Sequence, residues 1–239
     1  MHSRWQKISR FWDAEASLLV SVFVVAALLL GFGLIAAEVT EGSTAAFDRT
    51  LILLFRAGSD GRSGPLGPPW VLEMARDVTA LGSVVVLAIV SSVVVVYLLL
   101  ARSGAQALLV LVAVLGGLAL NSVLKIQFGR PRPDLFEPAA KVFTASFPSG
   151  HAAFSAITYL TLAALLARTT TRRGLRVFFV VVALTLTLII GLSRVYLGVH
   201  YPTDVLAGWC VGSAWALLCW AVLTRLQQRG RIDCPRAAS

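Results

Sequence analysis

Residues 78–124 read VTALGSVVVLAIVSSVVVVYLLLARSGAQALLVLVAVLGGLALNSVL, and Arg102 is the only charged side chain among them. About 20 apolar residues in a helix cross the roughly 30 Å hydrocarbon core of a bilayer. The run therefore reads as two spans, 78–101 and 103–124, with the turn at Arg102. Working outward, 16–37 and 205–224 pass the same test, and the shorter uncharged blocks 151–167 and 177–193 can extend into their flanks. The expected fold is all-α, a bundle of six transmembrane helices occupying residues 1–239 as one membrane domain. Composition agrees, with 57% hydrophobic and only 14% charged residues, where a soluble domain carries about 25% charged residues. An ordinary soluble globule, a disordered chain and a disulfide-stapled secreted module are all excluded. The first block is too long for a signal-peptide core and lacks a small-residue cleavage site, so it is expected to stay as an anchor.

The net charge is +9, from 21 Lys+Arg against 12 Asp+Glu. Arg4, Lys7 and Arg10, then Arg102, then Arg168, Arg172, Arg173 and Arg176, and finally Arg225, Arg229, Arg231 and Arg236 share one side if six helices alternate. The positive-inside rule makes that side the cytoplasm, with both termini on it. A nucleic-acid partner does not fit, because no basic face is interleaved with exposed aromatics. Cys210 and Cys219 lie in an apolar block and Cys234 in the basic tail, with no metal or redox spacing. In the first outer loop, 38–77, Phe47, Leu51, Leu54 and Phe55 recur at helical spacing. They suggest a helix lying on the membrane surface, followed by an irregular connector over 61–69.

The other outer loops hold basic residues that orientation does not explain: Lys125, Arg130, Arg132 and Lys141 in one, Arg194 in the next. Any one of them alone could be a cation snorkelling to headgroups. The neighbours argue otherwise. Of three histidines, His2 is in the N-terminal tail, while His151 and His200 both fall at outer ends of spans. Pro148-Ser149-Gly150-His151 opens the fourth span. Ser149 suits a helix cap, Gly150 allows close approach to the backbone, and the free N–H groups of a helix start attract anions. His200 and Asp204 flank Pro202, which suits the first turn of the sixth span. A carboxylate there can accept a hydrogen bond from one imidazole nitrogen and leave the other free to attack. No carboxylate cluster is available for a divalent metal, and no cofactor is implied. Three cations (Lys125, Arg132, Arg194), a helix start, two histidines and one carboxylate suit phosphoryl transfer through a phosphohistidine. One histidine attacks and the other protonates the leaving oxygen.

In these residues the chain resembles the type-2 phosphatidic acid phosphatase superfamily, whose soluble relatives include vanadium-dependent haloperoxidases. Lys125 to Arg132-Pro133 matches Lys-x6-Arg-Pro, Pro148 to His151 matches Pro-Ser-Gly-His, and Ser193-Arg194, His200 and Asp204 match Ser-Arg-x5-His-x3-Asp. The ordered triplet is specific, although each piece alone is weak. The resemblance implies that Lys125, Arg132 and Arg194 hold the phosphate and that Ser149 and the Gly150 backbone complete the cradle. It makes His200 the nucleophile, oriented by Asp204, and His151 the general acid. Arg130, in a second Arg-Pro pair at the wrong distance, is taken as a headgroup-facing or supporting residue. The implied protein is a metal-independent lipid phosphatase of the bacterial inner membrane, with its site facing outward and membrane lipids around it. Implied substrates are undecaprenyl diphosphate, phosphatidylglycerol phosphate, phosphatidic acid or a lipid A phosphate. The alternative is a non-enzymatic carrier or flippase that uses the same anion cradle.

Overall fold

The computed structural model describes residues 2–57, 64–133 and 144–228, with side chains from residue 18 onward. The helices are α1 (His2–Glu41), α2 (Ala45–Leu53), α3 (Pro69–Ala80), α4 (Val84–Leu100), α5 (Gly104–Phe128), α6 (Gly150–Arg168), α7 (Arg173–Tyr196) and α8 (Pro202–Gln228), and no strand occurs among the described residues. Leu18–Glu41 of α1, together with α5, α6, α7 and α8, is long and apolar enough to cross a membrane, and the α3–α4 pair makes a sixth span if its 44° bend is one crossing. The chain is a multi-pass membrane protein.

One expected span needs correction. The second span is not continuous over 78–101: the chain breaks at residues 81–83, between α3 and α4. Ser83 causes the break by capping α4, its hydroxyl accepting from the Val86 N–H at 3.3 Å. The helices also outrun the apolar blocks. α7 starts at Arg173 and α8 ends at Gln228, because hydrocarbon thickness limits the apolar stretch and not the helix.

A helix does occupy the segment 38–77, and its protein-facing side is the one opposite the exposed apolar side chains. Asp48 and Ile52 are the buried residues of α2, whereas Phe47 and Leu54 are exposed. Asp48 is drawn inward by polar partners described below. The following segment is tied to α7, where Arg56 Nη2 donates to the Tyr196 carbonyl at 3.0 Å.

α6 lies at the centre, packed on α7, α8, α5 and α4, while α8 also packs on α1 and α5. Large apolar side chains such as Phe23, Leu100 and Ile126 are exposed, and Ala152, Ala153, Ala156 and Ala207 are buried. That inversion suits lipid, where helix association depends on close backbone approach at small residues. Gly208 and Gly212 form such a pair on α8. A Cβ at Gly208 would meet the Ser149 carbonyl oxygen at 2.6 Å, and one at Gly212 would meet the Ala153 Cα at 2.9 Å. Backbone cannot yield as a side chain can, so Gly212→Leu is expected to cost at least the roughly 1–3 kcal/mol typical of overpacking. An unchanged melting temperature in detergent would contradict this close seat. It matters for the site, since it holds the start of α6 against α8 one to two turns beyond Asp204.

Candidate active site

α5 ends where Gly129 adopts a left-handed conformation, φ +55°, with its N–H on the Lys125 carbonyl at 3.0 Å. This αL closure turns Arg130 and Arg132 away from the helix axis toward the start of α8. The Ser149 N–H donates to the Asp204 carbonyl at 2.9 Å, locking the entry of α6 to the same place.

His200 and Asp204 are both fully buried. His200 Nδ1 lies 3.3 Å from Asp204 Oδ2, and the other ring nitrogen, Nε2, lies 3.1 Å from Arg132 Nη1. A guanidinium can only donate, so Nε2 is the acceptor and Nδ1 carries the proton that Asp204 receives. Asp204 Oδ2 also accepts from the Tyr201 N–H at 2.9 Å and from the Ser146 hydroxyl. Burial pushes the His200 imidazole down to about 4, against the pull of Asp204 and with help from Arg132 and Arg194. Between the ordinary value near 6.5 and about 4 the unfolded chain binds a proton that the folded one refuses, so this group makes stability fall as pH falls through that window. At pH 5.5 the His200 nitrogen resonances should report a neutral Nδ1–H tautomer; an imidazolium there would contradict the geometry.

The cations of the first motif are anchored by the segment before α6. Lys125 Nζ donates to the Ala145 carbonyl, and Arg132 Nε donates to the Thr144 carbonyl at 2.9 Å. Arg132 Nη1 also donates to the Val199 carbonyl at 2.6 Å, and burial holds its pKa below the ordinary arginine range, opposed by Asp204. Arg194 reaches across to α3, donating from Nη1 to Thr79 Oγ1 at 3.0 Å. His151, half-buried in the first turn of α6, is within electrostatic range of Arg194, His200, Arg132 and Lys125. The eight expected site residues thus converge at one end of the bundle; Lys141 lies outside the described residues.

Two donors in this cluster are orphaned. Ser149 occupies the N-cap position of α6, but its hydroxyl makes no capping bond; Oγ is buried without a hydrogen-bond partner, as is Arg194 Nε. Unsatisfied buried donors are rare and call for an explanation. An oxyanion would satisfy both. At Gly150, an added Cβ would press on the Phe154 ring at 3.3 Å and on Asn121 Oδ1 at 3.4 Å, so the smallest residue keeps the helix entrance open.

Arg130 does not face headgroups. Its side chain is 12% exposed and bridges Asp48 (Nη2–Oδ2 2.8 Å) and Asp204 (Nη1–Oδ1 2.6 Å), lying 4.2 Å over the Tyr201 ring. Although burial works against the cation, Asp204 and Asp48 raise its pKa above the ordinary value. The sequence alone did not reveal Asp48, Ser146, Thr203, Thr79 or Asn121. The one available signal was the tandem Arg-Pro repeat at 130–133, whose first arginine needed a counter-ion.

Bundle and cluster together describe a membrane protein with lysine, arginine and histidine side chains gathered at one end of its helices. The chain belongs to the PAP2 superfamily, whose family model matches residues 106–228. Among its relatives is phosphatidylglycerophosphatase B of Bacillus subtilis, 34% identical over 147 residues, covering 60% of this chain and 71% of that one. Lipid A 1-phosphatase of Rhizobium johnstonii is 36% identical over 142 residues, 52% of this chain and 54% of that one, so the match spans about half of that relative. The crystal structure of the transmembrane PAP2-type phosphatidylglycerolphosphate phosphatase from Bacillus subtilis superposes with a TM-score of 0.72 at 26% identity, covering 90% of this chain and all of that one. Aquifex aeolicus LpxE shares the fold with a TM-score of 0.54 at 23% identity, over 72% of this chain and 93% of that one.

Proposed function

We propose that this chain is a lipid phosphatase that transfers the phosphoryl group to His200 and then to water. The observation that carries the reading is the fixed tautomer: Nδ1–H donates to Asp204, leaving the Nε2 lone pair among cations. A phosphate held by Lys125, Arg132 and Arg194, with the Ser149 hydroxyl and Gly150 N–H completing the cradle, takes over the Arg132 donor and presents phosphorus to Nε2. The N–P bond forms as the P–O bond to the lipid breaks, and His151 gives the leaving oxygen its proton. Water, deprotonated by the same His151, then cleaves the N–P bond and releases inorganic phosphate. Donors already aimed at the developing charge supply much of the stabilisation. No step requires a metal ion.

The whole chain serves as one catalytic unit in a bacterial inner membrane, with the site on the outer side and both termini in the cytoplasm. Exposed Phe47 and Leu54 of α2 rest on the bilayer surface. Reporter fusions after Arg102 and after Lys141 should then fall on opposite sides, and a shared side would overturn this orientation. Beside the site a cavity of about 350 Å³, lined in part by Thr44, Arg49, Arg130 and Tyr201, leaves room for headgroup atoms beyond the phosphate. Phosphatidylglycerol phosphate is the first-choice substrate, because the likeness to the Bacillus subtilis relative covers most of that protein. Lipid A phosphate, phosphatidic acid and undecaprenyl diphosphate follow. Phosphate release from these four lipids in detergent, with and without EDTA, tests the proposal. Release unaffected by EDTA is expected; release lost in EDTA and restored by Mg²⁺ would contradict the mechanism.

A further inference from the structure

Resting on the phosphohistidine reading above, we infer that Asp48 of α2 is a positioning residue for catalysis, acting through Arg130 on the Asp204–His200 pair. Asp48 lies outside the residues that match the family model, yet its carboxylate is completely buried against the catalytic helix. Its Oδ1 accepts from the Thr203 backbone N–H at 3.1 Å, one of the free donors at the start of α8. Its Oδ2 accepts from Thr203 Oγ1 at 2.7 Å and from Arg130 Nη2 at 2.8 Å. A carboxylate from a distant segment thus caps α8 from outside, where the helix dipole favours negative charge.

The consequence runs through Arg130. Its guanidinium spans the two carboxylates, and Nη1 also donates to Thr203 Oγ1 at 2.9 Å. Asp204 therefore divides its work. Oδ1 is taken by Arg130, while Oδ2 receives Ser146, Tyr201 and His200. With Oδ1 pinned, the carboxylate cannot rotate to offer His200 a different oxygen, so the direction of the Nε2 lone pair is set from α2. Asp48 also supplies the second negative charge beside Arg130, so the guanidinium does not bear on Asp204 alone. Asn at position 48 keeps the size but loses the charge and leaves Arg130 anchored on one side. Lys at position 130 keeps the cation but loses the planar fork needed to span two carboxylates.

The test compares kcat, KM and the inhibition constant for vanadate in Asp48→Asn, Arg130→Lys, Asp204→Asn and the Asp48→Asn/Asp204→Asn double variant, on one phosphorylated lipid in detergent. Residues that act through one another are strongly non-additive, with couplings that correspond to about 2- to 150-fold. Asp48→Asn and Arg130→Lys should each lower kcat by about 10- to 100-fold, and the Asp48→Asn penalty should shrink to under about threefold in the Asp204→Asn background. The vanadate constant should stay near that of the parent, because the cradle cations are untouched. Parental kcat in Asp48→Asn, a full penalty on top of Asp204→Asn, or vanadate binding lost in step with kcat would overturn the inference. If Asp48→Asn fails to fold, Arg130→Lys carries the decision alone, and parental kcat in it is equally fatal. Full turnover in Asp204→Asn and in a His200→Ala control would instead sink the phosphohistidine reading, and the inference with it.

Discussion

His200→Ala is expected to abolish turnover on every phosphorylated lipid. Deleting a covalent nucleophile that works as a unit with its partner costs on the order of 10⁶-fold in kcat. Little else can take over. Asp204 is saturated by Arg130, Ser146 and Tyr201, Lys125, Arg132 and Arg194 are cations, and His151 is committed to the leaving oxygen in the proposed mechanism. Binding should survive, because Lys125, Arg132 and Arg194 are anchored by Ala145, Thr144, Val199 and Thr79 rather than by the imidazole alone. The variant should therefore still be protected against thermal unfolding by vanadate while releasing no phosphate. Asp204→Asn should lose less than His200→Ala, since an amide can still occupy the site but stabilises the charged imidazole poorly.

His151→Ala should behave differently, because its loss depends on the leaving group. General-acid assistance contributes about 10²–10⁴-fold where a poor leaving group needs a proton. A lipid alcohol is such a group, and p-nitrophenol is not. The variant should thus keep proportionally far more activity on an aryl phosphate than on phosphatidic acid, whereas His200→Ala loses both. The placement of His151 supports the division: it is half-buried at the mouth of α6, while His200 is sealed below. Equal losses on the two substrates would remove His151 from the role of acid.

The motifs were readable because their geometry is local. His200 and Asp204 are four residues apart across the start of α8, and Ser149-Gly150 announces a helix start, so spacing alone set each pair near one another. Apolar blocks located the membrane helices for the same reason, although hydrocarbon thickness says nothing of where Arg173 begins α7 or Gln228 ends α8. The break before α4 had a local signal in Gly82-Ser83 that the unbroken apolar run concealed. What escaped was long-range. Asp48 meets Arg130 across 82 positions of sequence and Thr203 across 155, and no periodicity encodes such a pairing. The stripe of Phe47, Leu51, Leu54 and Phe55 announced a helix, but nothing in it pointed to Asp48, whose carboxylate is buried by hydrogen bonds to Thr203 and Arg130. Gly208 and Gly212 carried a recognisable small-residue spacing, but only the fold shows that Ser149 and Ala153 are what they approach.

The central claim is that phosphate passes through His200. Brief exposure of the protein to a lipid labelled in its phosphate, followed by alkaline quenching and peptide mapping, tests it most directly. The account predicts an acid-labile, base-stable label on the peptide bearing His200, absent from His200→Ala and longer-lived in His151→Ala. Label on any other residue, or steady phosphate release with His200 replaced, would contradict it.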